Sequence, residues 1–209
     1  MAANYDNSAW FYDRLSRMVY GKALVRSQVY LLKHIPKNSN ILIAGGGTGW
    51  ILEEIAKVQP SGLTITYAEV SSHMTALSKK RNPGNNKVSF INEPVENIET
   101  DELYDVVFTP FLFDNFTEET LQKVFAHIHN RLKPGGIWLN TDFWPTGKWW
   151  HTLLLRSMII FFRLICGIEA KKLPDIEKQF DQHQYKAIDQ KTFFGEFILS
   201  VAYRKLSEL

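Results

Sequence analysis

The sequence predicts a doubly wound α/β fold, and three observations carry that prediction. Short apolar runs alternate along the chain with segments of helical periodicity, the pattern of a sheet with crossover helices. A glycine-rich loop, Ala44-Gly45-Gly46-Gly47-Thr48-Gly49, follows the first apolar run and opens a helix. The last two apolar runs, Lys186 to Phe194 and Phe197 to Lys205, are separated by Gly195-Glu196. Two residues beginning with glycine suit a type II′ hairpin, so the sheet is expected to end in an antiparallel pair.

The elements follow in order. Lys22 to His34 carries apolar residues at Leu24, Val25, Val29, Leu31 and Leu32, a helix that Ile35-Pro36 closes. Ile41 to Ala44 is a first buried strand. The glycine loop turns into a helix that runs to about Val58, where Pro60 and Gly62 stop it. Leu63 to Val70 is a second strand, followed by a short helix capped by Ser71 or Ser72. Asn82-Pro83-Gly84-Asn85-Asn86 is a turn cluster before a third strand, Val88 to Ile91, and Tyr104 to Thr109 is a fourth. Thr117, Glu118 and Glu119 open a helix, since acidic residues suit the positive end of its dipole. Lys133-Pro134-Gly135-Gly136 ends that helix and Ile137 to Phe143 is a fifth strand. A long apolar helix and a weaker one near Ile176 to His183 precede the hairpin.

The bulk numbers fit this outline. The 209 residues are 45% apolar and 22% charged, as in a globular protein of one domain, 1–209. Residues 1–36 read as N-terminal cap helices and 144–183 as a helical insertion over the domain. A formal net charge of +2 lacks the basic excess that a nucleic-acid partner would normally demand. The single cysteine, Cys166, cannot form an internal disulfide, and the first residues show no signal peptide, so the cytoplasm is the expected location. His127 and His129 are two apart on a helix and cannot co-ligate a metal, so no metal site is expected.

Trp149 to Ile168 is about the length of a membrane span. Arg156 and Arg163 lie inside it, each costing roughly 2.5–3.5 kcal/mol near a bilayer centre, so an amphipathic helix is the better reading. The arginines are seven apart and share one helix face. The segment has more apolar surface than one face usually buries. It is expected to pack on the sheet, line a pocket, pair with a second copy, or touch a membrane surface.

The glycine loop carries the chemistry. Glycines allow a tight turn and a close approach of backbone to ligand. An NAD fingerprint needs a small residue at its sixth position, which is Trp50 counting from Gly45, so a nicotinamide oxidoreductase is disfavoured. Glu69 lies at the end of the second strand, 20 residues after Gly49, where its carboxylate can accept from both hydroxyls of a ribose. A solvated strand-end glutamate is the alternative.

With these residues in place the chain resembles the class I methyltransferases that use S-adenosylmethionine (SAM), a seven-stranded, Rossmann-like family, and within it the quinone and small-molecule type. The resemblance implies that Gly45, Gly46, Gly47, Thr48 and Gly49 form the SAM loop and that Glu69-Val70 is the acidic ribose site. It also implies that Glu93 and Pro94, within Asn92-Glu93-Pro94-Val95-Glu96, border the adenine, where the family usually has an aspartate. Tyr104 to Thr109 resembles the strand whose end faces the methyl donor, which brings in Thr109. Leu132 to Gly136 resembles the family's L-K-P-G-G turn. Tyr12, in Trp10-Phe11-Tyr12-Asp13, resembles an element that covers the SAM pocket; an aromatic cluster packing the first helix serves equally well.

No catalytic base is identifiable. Asp114 and Asp142 lie close to strand ends, as bases or as loop and cap residues. Thr109-Pro110-Phe111 departs from the Asn-Pro-Pro-Tyr type of motif associated with amino-group methylation of nucleic acids or glutamine. The expected activity is methyl transfer from SAM to a small, rather apolar acceptor, quinone- or lipid-like. The alternative is a non-catalytic SAM-binding or partner-binding protein.

Overall fold

A computed structural model describes residues 19–166 and 172–206. The seven strands are β1 (Asn40–Ala44), β2 (Ser61–Ala68), β3 (Asn85–Ile91), β4 (Tyr104–Pro110), β5 (Leu132–Phe143), β6 (Tyr185–Phe193) and β7 (Ile198–Lys205). They form one sheet in the order β3-β2-β1-β4-β5-β7-β6, with only β7 antiparallel to its neighbours. The helices are α1 (Ala23–Leu31), α2 (Trp50–Val58), α3 (Ser72–Ser78), α4 (Glu118–Arg131), α5 (Trp149–Cys166) and α6 (Ile176–Gln182).

Alternation along β1 shows why helices cover both faces. Ile41 and Ile43 pack with Leu31 of α1 and with Ile51, Leu52 and Ile55 of α2. Leu42 and Ala44 point the other way, towards Leu121, Val124, Phe125 and Ile128 of α4. A strand buried on both sides reads as an unbroken apolar run, as Ile41 to Ala44 does. Trp138 of β5 anchors the second layer. It is fully buried, its ring centroid lies 4.6 Å from that of Phe125, and its indole N–H donates to Thr109 Oγ1 at 2.9 Å. Trp138→Phe keeps an aromatic ring but removes that donor and part of the buried indole volume. The lost bond and the lost packing are together expected to cost at least roughly 1–3 kcal/mol in urea denaturation, and an unchanged midpoint would show both to be without net value.

Several boundaries differ from the sequence pattern. The first helix ends at Leu31 and tightens into a 3-10 turn over Leu32–His34. β3 takes in Asn85 and Asn86, which read as turn residues. Asn86 is buried, accepting from the Leu63 N–H and donating to the Gln59 and Pro83 carbonyls, so its polar groups are met inside the sheet edge. β5 begins at Leu132 rather than Ile137 because the four residues of the Lys-Pro-Gly-Gly turn form a bulge within it. Tyr104 faces Leu132 and Val106 faces Ile137, and Lys133 bridges to Asp105 at 2.6 Å.

The hairpin turn is also corrected. Gly195 and Glu196 both have positive φ, +60° and +75°, and Phe197 N–H donates to Phe194 O at 3.1 Å. Two left-handed central residues are the signature of type I′, whereas type II′ needs only the first. Tertiary contacts hold this turn. His151 is fully buried; its Nδ1 accepts the Thr146 N–H at 3.0 Å, so its Nε2–H donates to Gly195 O at 3.2 Å. Lys148 pairs with Glu196 beside it. The start of α5 is thereby clipped to the β6–β7 turn, which gives His151 a structural place.

Among the described residues no helix is long and apolar enough to cross a membrane. One face of α5 packs through Trp150, Leu154, Leu155 and Met158 on a cluster of Tyr20, Phe143, Phe197 and Ile198.

Candidate functional site

The strand order reverses between β1 and β4, where chains leave the sheet in opposite lateral directions and open a crevice at the carboxyl ends. Three segments meet there: the glycine loop after β1, the end of β2, and the turn after β4. A Cβ on Gly45 would come within 3.0 Å of Leu112 Cδ1, so the loops from β1 and β4 are in direct contact.

The glycine loop is packed on one side and open on the other. A Cβ on Gly46 would lie 2.3 Å from the Tyr67 ring, and the Tyr67 hydroxyl donates to Gly47 O at 3.0 Å. Tyr67 is fully buried, and burial, reinforced by Glu69, pushes its phenol well above the usual range; it stays a neutral donor. Gly47 has φ +63°, and a Cβ there would meet only Met74 Sδ at 4.0 Å. Thr48 is buried, its carbonyl accepting from Arg81 Nε at 3.1 Å, and Gly49, also at positive φ, begins α2. One side of the loop is thus a tight internal joint and the other a shallow cradle.

Glu69 is buried at 6% exposure, its carboxylate turned towards the loop. Oε2 accepts the Gly47 N–H and Oε1 accepts the Ser71 N–H, each at 2.9 Å. The reading of Glu69 as a solvated surface charge is therefore overturned by its burial. Ser71 also caps α3, its hydroxyl accepting from Met74 N–H. Val70 is exposed beside Glu69. Asn92 donates to the Glu69 and Val70 carbonyls at 2.8 and 2.9 Å, tying the end of β2 to the segment after β3. Glu93 follows as an exposed side chain and Pro94 as a half-buried one.

Thr109 is placed differently from its neighbours in the motif. Its side chain is fully buried, donates to Asn140 Oδ1 at 2.8 Å and accepts from Trp138, so the hydroxyl points into the α4 layer rather than the crevice. In the alternation of β4 it shares a face with Val107. Tyr12 lies outside the described residues. Pattern reading missed Tyr67, Asn92 and Leu112. The signal available for Tyr67 was a large aromatic two residues before the acidic strand end, opposite a glycine without a side chain.

Past β4 come two buried carboxyls and a group of packed rings. Phe111 sits in the left-handed region at φ +52°, with its N–H held by Thr141 O at 2.7 Å and its ring 5.0 Å from that of Phe143. Asp142 accepts from the Phe113 N–H at 3.1 Å and the Phe143 N–H at 2.9 Å, which makes it a cap for the turn. Burial pushes Asp142 up to about 7. Asp114 is raised well above the usual carboxylate range by burial and by Asp142. Both groups are raised in the folded state, so their contribution to stability is present below the unfolded carboxylate range and is lost as pH rises through about 7. Asp114→Asn is expected to flatten the fall in melting temperature between about pH 5 and about pH 8, where each extra proton held is worth ~1.4 kcal/mol per pH unit. A variant with the parent's pH profile would overturn this coupling.

Residues 41–136 match the family described as a methyltransferase domain, a span that contains the glycine loop, Glu69 and the Lys-Pro-Gly-Gly turn. With the seven-stranded order and the antiparallel β7, the chain has the methyltransferase domain match and the fold that together support a class I SAM-dependent methyltransferase. Among relatives, it is 29% identical over 198 residues to the ubiquinone/menaquinone biosynthesis C-methyltransferase UbiE of Geotalea daltonii, covering 88% of this chain and 83% of that one. It is 28% identical over 129 residues to the malonyl-[acyl-carrier protein] O-methyltransferase of Bacillus cereus, covering 59% of this chain and 46% of that protein. Its fold is similar to that of the 1,6-didemethyltoxoflavin-N1-methyltransferase of Burkholderia thailandensis, with a TM-score of 0.66 at 14% identity over 94% of this chain and 84% of that one.

Proposed function

We propose that the chain transfers the methyl group of SAM to a small apolar acceptor, quinone- or lipid-like, at the carboxyl edge of β4 and β5. The observation that carries this reading is the aromatic cluster there: Phe111, Phe143, Tyr20 and Phe197 sit beside the switch-point crevice under Leu154, Leu155 and Met158 of α5. Such a wall suits an apolar ring or chain and offers little to a highly charged acceptor. The similarity to a quinone C-methyltransferase supports the same class.

SAM supplies an electrophilic methyl group on a sulfonium. The residues present fit it: the Gly47 side of the loop is open where a Cβ would stand, and Glu69 is a carboxylate held at the loop. In this reading Gly45 to Gly49 approach the methionine end and Glu69 takes the ribose hydroxyls, which join or replace its two backbone donors. Val70, Glu93 and Pro94 border the adenine, and Thr109 contributes backbone only. α5 with the residues around it serves as the cover of the acceptor side. Methyl transfer can proceed largely by holding two reactants in line, which asks little of a dedicated base.

The test is a panel of acceptors with methyl-labelled SAM, run on quinols and phenols, malonyl thioesters and amines. The reading expects labelled product from the first group. Product only from malonyl thioesters would move the acceptor to the carrier-protein type, and SAM binding without turnover on any acceptor would favour a binding protein. Calorimetric titration with NAD should show no binding.

A further inference from the structure

We propose that the outer face of α5 docks on an anionic lipid surface. The helix has two apolar sides, and only one is used by the fold. Trp150, Leu154, Leu155 and Met158 pack inward. Trp149, Leu153 and Ile160 face outward at 77%, 63% and 57% exposure, the first two larger than for any other big apolar side chain described. At 100° per residue these three fall within about 40° of one another on the helix wheel, and Arg156 and Arg163 fall in the same stripe. Both arginines are exposed, and neither forms an ion pair among the described residues. No aspartate or glutamate occurs anywhere in the helix.

A stripe about 21 Å long that interleaves large apolar side chains with arginines matches the boundary between acyl chains and anionic headgroups. The apolar groups enter the boundary and the guanidinium groups bind phosphates in paired hydrogen bonds. A second copy of the chain fits this face poorly. Arg156 stands at the centre of the stripe, so a two-fold antiparallel pairing would set it against its own counterpart with no carboxylate on the helix to neutralise either. Three exposed apolar side chains also fall short of the roughly 800 Å² per partner of a stable interface. The clip at His151 and Lys148 holds the inner face on the sheet, so the docked helix stays folded against the body and lies along the surface. The inference stands on this face alone and does not depend on which acceptor is methylated.

The experiment is flotation with vesicles of phosphatidylcholine alone and of phosphatidylcholine with phosphatidylserine, at low and raised salt. The parent is expected to float with the anionic vesicles, less so as salt rises, and to stay behind with the neutral ones. Two double variants on the outer face, Arg156→Glu with Arg163→Glu and Leu153→Ser with Ile160→Ser, are each expected to bind at least about tenfold more weakly. Their melting temperature and SAM affinity should match the parent's, which separates lost docking from lost folding. Absence of parent binding to anionic vesicles overturns the inference, as does full binding by the charge-reversed variant. A concentration-dependent dimer in sedimentation that the same substitutions dissolve would overturn it in favour of a second copy.

Discussion

Gly47→Val is expected to abolish SAM binding in calorimetric titration while the protein still folds. The left-handed backbone at φ +63° costs a branched residue about 1–3 kcal/mol. Inside the protein the new side chain meets nothing nearer than Met74 Sδ at 4.0 Å, so what it fills is the cradle itself. Gly46→Ala makes the informative contrast. Its methyl would strike the buried Tyr67 ring, so melting temperature should fall first and binding second. A folded Gly47→Val variant that binds SAM like the parent would reduce the loop to a chain reversal.

Glu69→Ala is expected to weaken SAM affinity by roughly 1.5–3 kcal/mol, the size of hydrogen bonds lost to a charged acceptor. The carboxylate also holds the N–H groups of Gly47 and Ser71, so part of the loss will come from a loosened loop. Glu69→Gln helps to separate the two contributions, since its amide oxygen can keep one backbone donor while its NH₂ confronts the other. Titration with S-adenosylhomocysteine, together with thermal melting of each variant, measures both. Equal binding by the alanine variant and the parent would remove Glu69 from the donor site.

The sequence made the β1–loop–α2 unit and the Thr117 cap of α4 legible because each rests on local chemistry. Glycines are needed where the chain turns, and the Thr117 hydroxyl accepts from the Thr120 N–H three residues on. The seven strands were legible as apolar runs, but their order in the sheet was not, because distant crossovers set it. What escaped pattern reading depends on partners distant in sequence. The aim of Thr109 is set by Trp138 and Asn140, the conformation of the Gly195–Glu196 turn is held by Lys148 and His151, and the strand character of Asn86 depends on Leu63 and Gln59. For Asp142 the sequence left base and cap both open, because the Phe113 N–H that it holds is 29 residues away.

The insertion of β7 between β5 and β6 bears on how the chain folds. Ser200 of β7 donates to the Ser27 carbonyl of α1, 173 residues earlier, and shares a buried hydroxyl contact with Thr141 of β5. The helix near one end of the described chain therefore lacks the larger part of its seat until a strand near the other end is laid down. During synthesis β5 emerges with a bare edge, and β6 cannot fill it because that lane is kept for the strand that follows. Contacts of such long span make for slow closure and leave the nascent sheet open to mispairing. A released chain that ends before Ile198 is thus expected to be protease-sensitive throughout its β5 half, and one that includes the eight residues of β7 to have α1 and β5 protected together.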